Sequence, residues 1–467
     1  MTKIVVCVRP GRDGELSPFE KSAYEMALMQ NDAEITLLCM AQEKAKDCLL
    51  LLSRLGADRV ILLSDARFAG SDTLATAYAL SCALRQLQPD LILCGRKTME
   101  GDTGQVPPML AEYLGFAFYP EALTLEQENG RYSITRFAGK TALTLPAVVA
   151  AEKSCVLRRP RIGARTAEFT QLSARDISAD PSRTGLSGSP TRVLSSVRNE
   201  SGKRKCTFLT AQQFPDTIRN CLRSARSAGI QSERPALQQS MEGVYAFGTD
   251  VSGYAGMVAS QYSVIPEDTG LDGLVSVLKQ QKPRAILFPS TPSAKELAAR
   301  LAVRENLGLC ADCTGLETDG QQLIMVRPAL SGTVLAKIRT DTVPALCTVQ
   351  TDSHERKQFC ICAGFGARNV LDELRKYAER ENAALAASRK MVDHGFLPYT
   401  DQVGLTGKSV APDVYLAIGL SGAIHHIVGM NRSKFVIAVN PDRNAPVFEY
   451  ADYGFLISAE ELSALLR

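Results

Sequence analysis

The stretch QLQPDLILCGRKTMEGDTGQVPPMLAEYLGF (86–116) decides the fold, because the chain repeats it as KQQKPRAILFPSTPSAKELAARLAVRENLGL (279–309). Pro89 and Pro283 stand 194 residues apart, and Leu114-Gly115 and Leu307-Gly308 stand 193 apart. The likeness continues through ITRFAGKTALTLPAVVA (134–150) and MVRPALSGTVLAKIRTDTVPALCTV (325–349). There Arg136 and Arg327 are 191 residues apart, and Pro146 and Pro344 are 198 apart. Shared order and spacing over roughly sixty residues means two homologous domains in one chain. We expect them to pack as a pseudo-twofold pair.

Each copy reads as strand, loop and helix. Around the first copy lie the apolar runs IVVCV (4–8), EITLLCM (34–40), RVILL (59–63), DLILCG (90–95) and AVVAA (147–151), separated by helical patterns. Continuous β-rich runs are the mark of strands buried on both faces. Their alternation with helices predicts an α/β fold of doubly wound parallel sheets. Ligands bind at the carboxyl ends of such strands. In the first copy that place holds RKTMEGDTGQVPP (96–108), with a Gly-Asp-Thr-Gly turn suited to a nucleotide; the matching STPSAKEL has lost the glycines. The copies have thus diverged at a site rather than in the core.

The last hundred or so residues have no counterpart in the first half. They contain strands in QFCICAGF, DVYLAIG and KFVIAVN, and the stretch QVGLTGKSVAPDVYLAIGLSGAIHHIVGM (402–430). Two glycine-bearing turns, GLTGKS and GLSGAIHH, flank its strand 414–418. Glycines let backbone approach a ligand closely and present N–H groups to anionic oxygens. A helix starting near Ser421 would add its positive end. This is phosphate or pyrophosphate chemistry and points to a nucleotide cofactor. It is no ATPase loop, since that pattern needs glycine where Gln402 stands. A dinucleotide G-x-G-x-x-G starts at Gly364-Phe365-Gly366 but fails at Asn369.

Composition narrows the class. The 467 residues suffice for about three domains. With 53 basic and 50 acidic residues the chain is no general nucleic-acid or membrane-surface binder. No apolar run approaches the ~18 residues that span a bilayer, and MTKIVVCVRP reads as a buried first strand rather than a leader. Thirteen scattered cysteines fit reduced thiols in a cytoplasmic protein. The lone C-x-x-C, Cys310–Cys313, lacks two further ligands at metal-site spacing, and four histidines are too few for a His-rich metal site. The Ser-, Arg- and Gln-rich segment 187–242 reads as a linker with an arm helix over 214–225.

Taken together, these residues resemble the electron transfer flavoprotein family, with a beta-type half followed by an alpha-type half in one fused chain. The beta-type likeness rests on SPFEKSAYEMAL (17–28), the 90–115 stretch and GLSGSPTRV (185–193). The alpha-type likeness rests on GLCADCTGL (308–316), RPALSGTVLAKI (327–338), AASRKMVDHGFLP (386–398), the 402–430 stretch and IAVNPDRNAPVFEYADYG (437–454). The resemblance implies a beta-type domain at 1–190, a linker and arm at 191–240, an alpha-type domain at 241–352 and a Rossmann-like FAD-binding domain at 353–467. The alpha-type half is short, as though its usual first strand and helix before Val244 were missing.

By the same resemblance, FAD in the C-terminal domain would meet Gly364, Gly366, Ser388 and Arg389. Gln402, Val403, Gly404, Thr406, Gly407 and Lys408 would wrap the ring and ribityl chain, with the Thr406 hydroxyl near N5. Ser421, Gly422, Ala423 and His426 would hold the stretch from pyrophosphate to ring, His426 near a ring carbonyl. Asn440 and Asp452 would bind the adenosine end. Reduced flavin tends towards an anion, which Arg389 and a donor at His426 would stabilise. No catalytic residue is implied, since the chemistry belongs to the flavin. In the N-terminal domain, AMP or a second FAD would meet Cys7, Gly101, Asp102, Thr103, Gln105 and Val106. Leu157, in CVLRRPRIGAR (155–165), would dock an acyl-CoA dehydrogenase or related flavoprotein oxidoreductase.

The implied function is electron carriage between such an enzyme and another redox partner. The alternative is an NADH-oxidising, electron-bifurcating flavoprotein with two FADs. A third class, an adenine-nucleotide sensor or ATP pyrophosphatase, wants an S-G-G-x-D-S loop where CVRPGRDGE (7–15) stands. The chain departs from the family at three places. Phe365 replaces an arginine, Leu405 replaces a glutamine, and His425 replaces a glutamine. Losing the arginine would lower the flavin potential unless Arg368 or His425 takes its place.

Overall fold

The structure is a computed structural model. It describes residues 1–11, 14–98, 101, 103–128, 130–198, 203–227, 239–329, 334–350, 358–404 and 407–466. The chain forms two compact units. One combines Met1–Ser196, Ala236–Leu330 and Ala336–Thr351; the other combines Val197–Pro235, Ser331–Leu335 and Asp352–Arg467.

In the first unit, seven strands form one sheet in the order Glu168–Leu172, Arg59–Leu63, Ala33–Met40, Thr2–Cys7, Leu91–Gly95, Ala147–Ala151, Ala117–Ala122. All these pairings are parallel. The central strands are buried on both faces, as their unbroken apolar runs require. The order reverses between Thr2–Cys7 and Leu91–Gly95, where Cys7 pairs with Cys94.

The second sheet repeats this plan. Its order is Ser263–Ile265, Val244–Phe247, Ala285–Pro289, Ala345–Val349, Leu309–Cys313, again parallel. Val244–Phe247 sits beside Ala285–Pro289 as Thr2–Cys7 sits beside Leu91–Gly95. The expectation of a missing first strand is therefore corrected. The central place is filled, and the shortening falls at the far edge, where the first sheet carries two more strands. Between corresponding strands each copy extends a hairpin. In the first it is Thr124–Glu128, Arg131–Arg136 and Gly139–Ala142; in the second, Gly315–Thr318, Leu323–Ala329 and Val334–Thr340. Strand Thr191–Arg198, following the first copy, joins the second copy's hairpin sheet.

The copies meet through equivalent elements, as a pseudo-twofold pair should. Helix Val106–Leu114 packs on its counterpart Pro292–Arg304. Met109 and Leu110 share one apolar core with Ala298, Leu301 and Ala302. Glu112 is held by Arg304 at 2.8 Å and by Arg300 at 3.8 Å.

The second unit is a six-stranded parallel sheet in the order Thr207–Leu209, Tyr453–Phe455, Phe435–Val439, Val414–Ile418, Phe359–Ala363, Ala384–Ala387. Its switch point lies between Phe359–Ala363 and Val414–Ile418, since the chain builds to one side of the first and then to the other. The arm is part of this unit rather than a free linker. Its strand pairs with Tyr453–Phe455, and helix Phe214–Ser227 buries Phe214, Ile218 and Cys221 in the sheet's core. The Phe214 and Phe455 rings meet edge to face with centroids 5.1 Å apart.

Candidate functional site

The second unit's strands deliver the predicted flavin residues to one edge. Phe359–Ala363 runs into Gly364-Phe365-Gly366, Ala384–Ala387 into Ser388-Arg389, Val414–Ile418 into Gly419–His426, and Phe435–Val439 into Asn440. The turns touch backbone to backbone. A Cβ on Gly364 would lie 2.1 Å from the Gly419 carbonyl oxygen, so no larger residue fits. Gly422, at φ +87°, would place a Cβ 2.0 Å from the Val447 nitrogen. That left-handed turn stops a helix from starting at Ser421. The helix that follows is a single turn, Ile424–Ile427, so the expected helix-end contribution is corrected: this site has none of consequence. Its anion binding must come from turn amides and cations.

Segment 402–408 folds back onto the same edge. Val403 N–H donates to the Ala387 carbonyl at 2.9 Å, and Lys408 N–H donates to the Gln402 carbonyl at 2.8 Å. Gln402 and Val403 are buried, while Lys408 is exposed with its ammonium 3.7 Å from Asp401. Gly404 and Gly407 belong to this turn. Thr406 and Leu405 lie outside the described residues.

Two buried atoms at this edge, Ser388 Oγ and His426 Nδ1, make no well-formed hydrogen bond among the described residues. Leaving such a group unpartnered costs about 1–3 kcal/mol, so a site of this kind implies an absent acceptor or donor. His426 Nε2 lies 2.9 Å from the Tyr415 hydroxyl and 3.7 Å from Cys362 Sγ. Burial drives the imidazole pKa down to about 4, with the Val403 backbone opposing weakly. The ring is therefore neutral at pH 7. A neutral ring whose Nε2 accepts from the Tyr415 hydroxyl carries its proton on Nδ1, where it can serve a ligand. Arg389 is exposed and paired with Asp393 at 3.2 Å. Orphaned atoms, backbone-tight glycine turns and an exposed cation fit an extended anionic dinucleotide such as FAD. Ser421 and Ala423 are exposed on the same loop. Asn440 braces it, its Nδ2 donating to the Leu420 carbonyl at 2.8 Å.

Asp452 does not belong to this group. It precedes its strand, and so lies at the amino edge of the sheet. There it accepts from Val436 N–H at 2.8 Å and pairs with Arg204 of the arm at 2.5 Å. Its role is to fasten the arm, with Arg204 also donating to the Ser433 and Lys434 carbonyls. The residue at the ligand edge of that strand is Ser458, the cap of helix Ala459–Leu465, which the sequence reading missed. Strand direction was the available signal, because the ligand edge follows a parallel strand.

In the first unit, Cys7 is half-buried at the end of its strand and Val106 opens helix Val106–Leu114. Gln105 is buried at the repeat interface. It accepts from Thr73 Oγ1 at 2.6 Å and donates to the Leu309 carbonyl at 3.4 Å. The Gly101 carbonyl accepts from Arg327 Nη2 at 3.0 Å, so the second copy reaches the first copy's loop. Thr103 is half-buried, and Asp102 lies outside the described residues. A cavity of about 780 Å³ opens nearby at the ends of three central strands, lined by Arg9, Met40, Cys48, Ser64, Asp65 and Phe68 among others. Of the residues expected to hold the second nucleotide, the described ones, Cys7, Gly101, Thr103, Gln105 and Val106, do not line it. The residues just past strands Thr2–Cys7 and Arg59–Leu63 were the unread clue.

The corresponding edge of the second copy is closed by its own side chains. Asp312 lies 2.6 Å from the Lys295 ammonium and accepts from Ser290 Oγ at 2.7 Å; its N–H donates to Thr348 Oγ1 at 2.9 Å. Burial pushes this carboxyl's pKa up, but Lys295, Ser290 and Arg327 together bring it below the usual value. Cys310 and Cys313 beside it are buried thiols with strongly raised pKa values. No group of metal-ligand side chains occurs among the described residues.

Leu157 is half-buried against the first copy's core. Its neighbours Val156, 92% exposed, and Ile162, fully exposed, are the apolar side chains that stand out. The loop is held in place by Arg158, whose Nη2 lies 2.7 Å from Glu25, and by Ser22 Oγ, which accepts from the Ser154 and Cys155 N–H groups. No helix among the described residues is long and apolar enough to cross a membrane.

The fold and site define a flavin-binding α/β protein built from a duplicated domain and a dinucleotide domain. Sequence comparison gives the family. Residues 4–177 and 268–368 match the electron transfer flavoprotein domain, and residues 355–431 match the electron transfer flavoprotein FAD-binding domain. Relatives divide between the halves. The electron transfer flavoprotein subunit beta of Megasphaera elsdenii is 38% identical over 213 residues, 40% of this chain and 76% of its own. The subunit alpha of Thermoanaerobacterium thermosaccharolyticum is 32% identical over 224 residues, 38% of this chain and 68% of its own. An acryloyl-CoA reductase electron transfer subunit beta from Anaerotignum propionicum is 30% identical over 255 residues, 39% of this chain and 70% of its own. The chain belongs to the electron transfer flavoprotein family, with beta-like and alpha-like parts fused in one polypeptide.

Proposed function

We propose that this protein is a cytoplasmic electron carrier between an acyl-CoA-type dehydrogenase or reductase and another redox partner. The observation that carries the reading is the pair of buried polar atoms without a well-formed hydrogen bond among the described residues, Ser388 Oγ and His426 Nδ1, at the carboxyl edge of a domain matching the family's FAD-binding domain. FAD bound there supplies the redox chemistry. The protein's share is placement. The glycine turns admit the cofactor, Arg389 sets a positive charge beside it, and neutral His426 offers Nδ1–H without the cost of burying a cation.

A second nucleotide, AMP or FAD, is assigned to the first copy. The cavity at its strand ends supports this, having the size of small-molecule sites. If it is FAD, the alternative of NADH-driven bifurcation gains weight. Denaturing the purified protein and counting released flavin and AMP tests both readings, together with NADH titration. One FAD per chain with AMP and no flavin bleaching by NADH supports the carrier. Two FADs with bleaching supports bifurcation, and a colourless protein that binds no FAD sinks both.

Docking is assigned to the 155–165 loop, expected from the sequence to use Leu157. The exposure of Val156 and Ile162 moves the contact to them, with the basic loop facing an acidic partner surface. Ile162→Ser should slow electron exchange with an acyl-CoA dehydrogenase roughly tenfold while leaving bound flavin unchanged. Equal rates in variant and wild type would remove the loop from the docking surface.

A further inference from the structure

The site's main departure from its family is Phe365, which stands between Gly364 and Gly366 where an arginine is expected. Its ring is half-buried on the ligand edge, packed against the domain's apolar core and meeting cations on its faces. The Lys390 ammonium lies 4.2 Å from the ring centroid and the Arg368 guanidinium 4.7 Å. Both are inside the ~6 Å reach of a cation–π contact. Arg368 is tethered a second time, its Nη1 donating to the Phe365 carbonyl at 3.1 Å. The His394 ring lies 4.8 Å away and Phe396 6.3 Å away. His394 Nδ1 in turn sits 2.9 Å from the Lys390 carbonyl.

These contacts join two turns. Phe365 and Arg368 follow strand Phe359–Ala363, whereas Lys390 lies in helix Arg389–Asp393 and His394 caps its end, after strand Ala384–Ala387. Lys390 is one residue from Arg389 and two from the orphaned Ser388. Free in solvent, Arg368 and Lys390 would each retain about 2 kcal/mol of rotamer entropy and place no charge in particular. Stacked on one ring, they are fixed beside the turn that presents Arg389.

We propose that Phe365 is a positioning residue that holds Arg368 and Lys390 as a paired cation at the flavin site, in place of the single arginine of the family. This rests on FAD binding by the C-terminal domain. Fixed positive charge favours the more negative, reduced cofactor over the oxidised one, so it raises both affinity and flavin potential. The charge is set by aromatic geometry instead of a longer side chain. Phe365→Arg therefore brings no gain in potential, because it removes the ring that places two cations.

The test uses the full chain, stripped of flavin and reloaded with FAD. Phe365→Leu keeps the apolar bulk and removes the π face; Phe365→Tyr keeps both. The leucine variant should bind FAD roughly fivefold more weakly, the size of one moderate cation–π contact, and show a lower flavin potential. The tyrosine variant should stay within twofold of wild type. Lys390→Met should weaken binding in the wild-type background and add nothing in the Phe365→Leu background. Phe365→Leu matching wild type in both affinity and potential would overturn the proposal. So would equal losses in the leucine and tyrosine variants, which would make the ring a packing element only. Failure of the wild-type chain to bind FAD would overturn the functional reading instead, so the two failures are separable.

Discussion

The carboxyl edges of the second copy's sheet and of the flavin domain's sheet are built alike and end differently. Both are parallel strands running into turns at a place where such sheets bind ligands. At the second copy's edge, Lys295, Asp312, Ser290 and Thr348 satisfy one another. At the flavin edge, Ser388 Oγ and His426 Nδ1 make no well-formed hydrogen bond among the described residues, and Arg389 stands exposed. A closed edge turns its polar groups on each other, and an edge open to a ligand leaves some unsatisfied. The first copy's edge has an open cavity and, on a neighbouring loop, a glycine turn.

The larger expected effect separates the two edges by pH. His426 is held near pKa 4 in the folded protein, below its ordinary 6.5. The unfolded chain therefore binds the proton more readily. Stability from this group is complete above pH 6.5, falls as pH drops towards 4, and is flat below that. The loss amounts to about 3 kcal/mol across the window. Asp312 behaves in the opposite range, since its pKa is lowered from 3.8 and its contribution is lost only below that value. Urea unfolding of the flavin-free protein from pH 7 to 4.5 should weaken the flavin domain's transition and spare the other unit. His426→Asn should flatten the slope. A flavin-domain transition independent of pH in this range would mean that His426 takes up its proton as readily in the folded state as in the unfolded one.

How much of this was legible in the sequence follows from what each residue's position depends on. The duplication, the parallel sheets and the flavin turns could be read because buried strands need unbroken apolar runs and tight turns need glycine, both local properties. Edge direction is also local, so Asp452 was a misreading of available information: it precedes its strand and cannot share an edge with Asn440. Gln105 is different. Its burial depends on a helix from the other copy, and no local pattern announces that. Leu157 and Ile162 are both apolar in one loop, and only the tie from Arg158 to Glu25 decides which of them turns inward. The cation pair on Phe365 likewise joins residues 25 apart, Phe365 and Lys390, through tertiary contact alone.

The smaller expected effect tests whether the second copy's edge is self-satisfied. Lys295→Met keeps the aliphatic stem and removes the charge that offsets the burial of Asp312. Breaking a fully buried pair costs about 3–5 kcal/mol, but the Asp312 side chain retains 20% exposure, so roughly 2 kcal/mol is expected here. The loss should appear in the first unit's unfolding transition, with FAD content unchanged. The pH profile should change as well. Without Lys295, burial is no longer outweighed and the Asp312 pKa rises, so the variant's deficit shrinks as acid neutralises the carboxyl. Lys295→Met with Asp312→Asn should recover part of the lost stability, because the amide still accepts from Ser290 without an unpaired charge. If Lys295→Met costs nothing, the ion pair is solvated and the edge is open. The contrast with the flavin domain would then rest on the orphaned atoms alone.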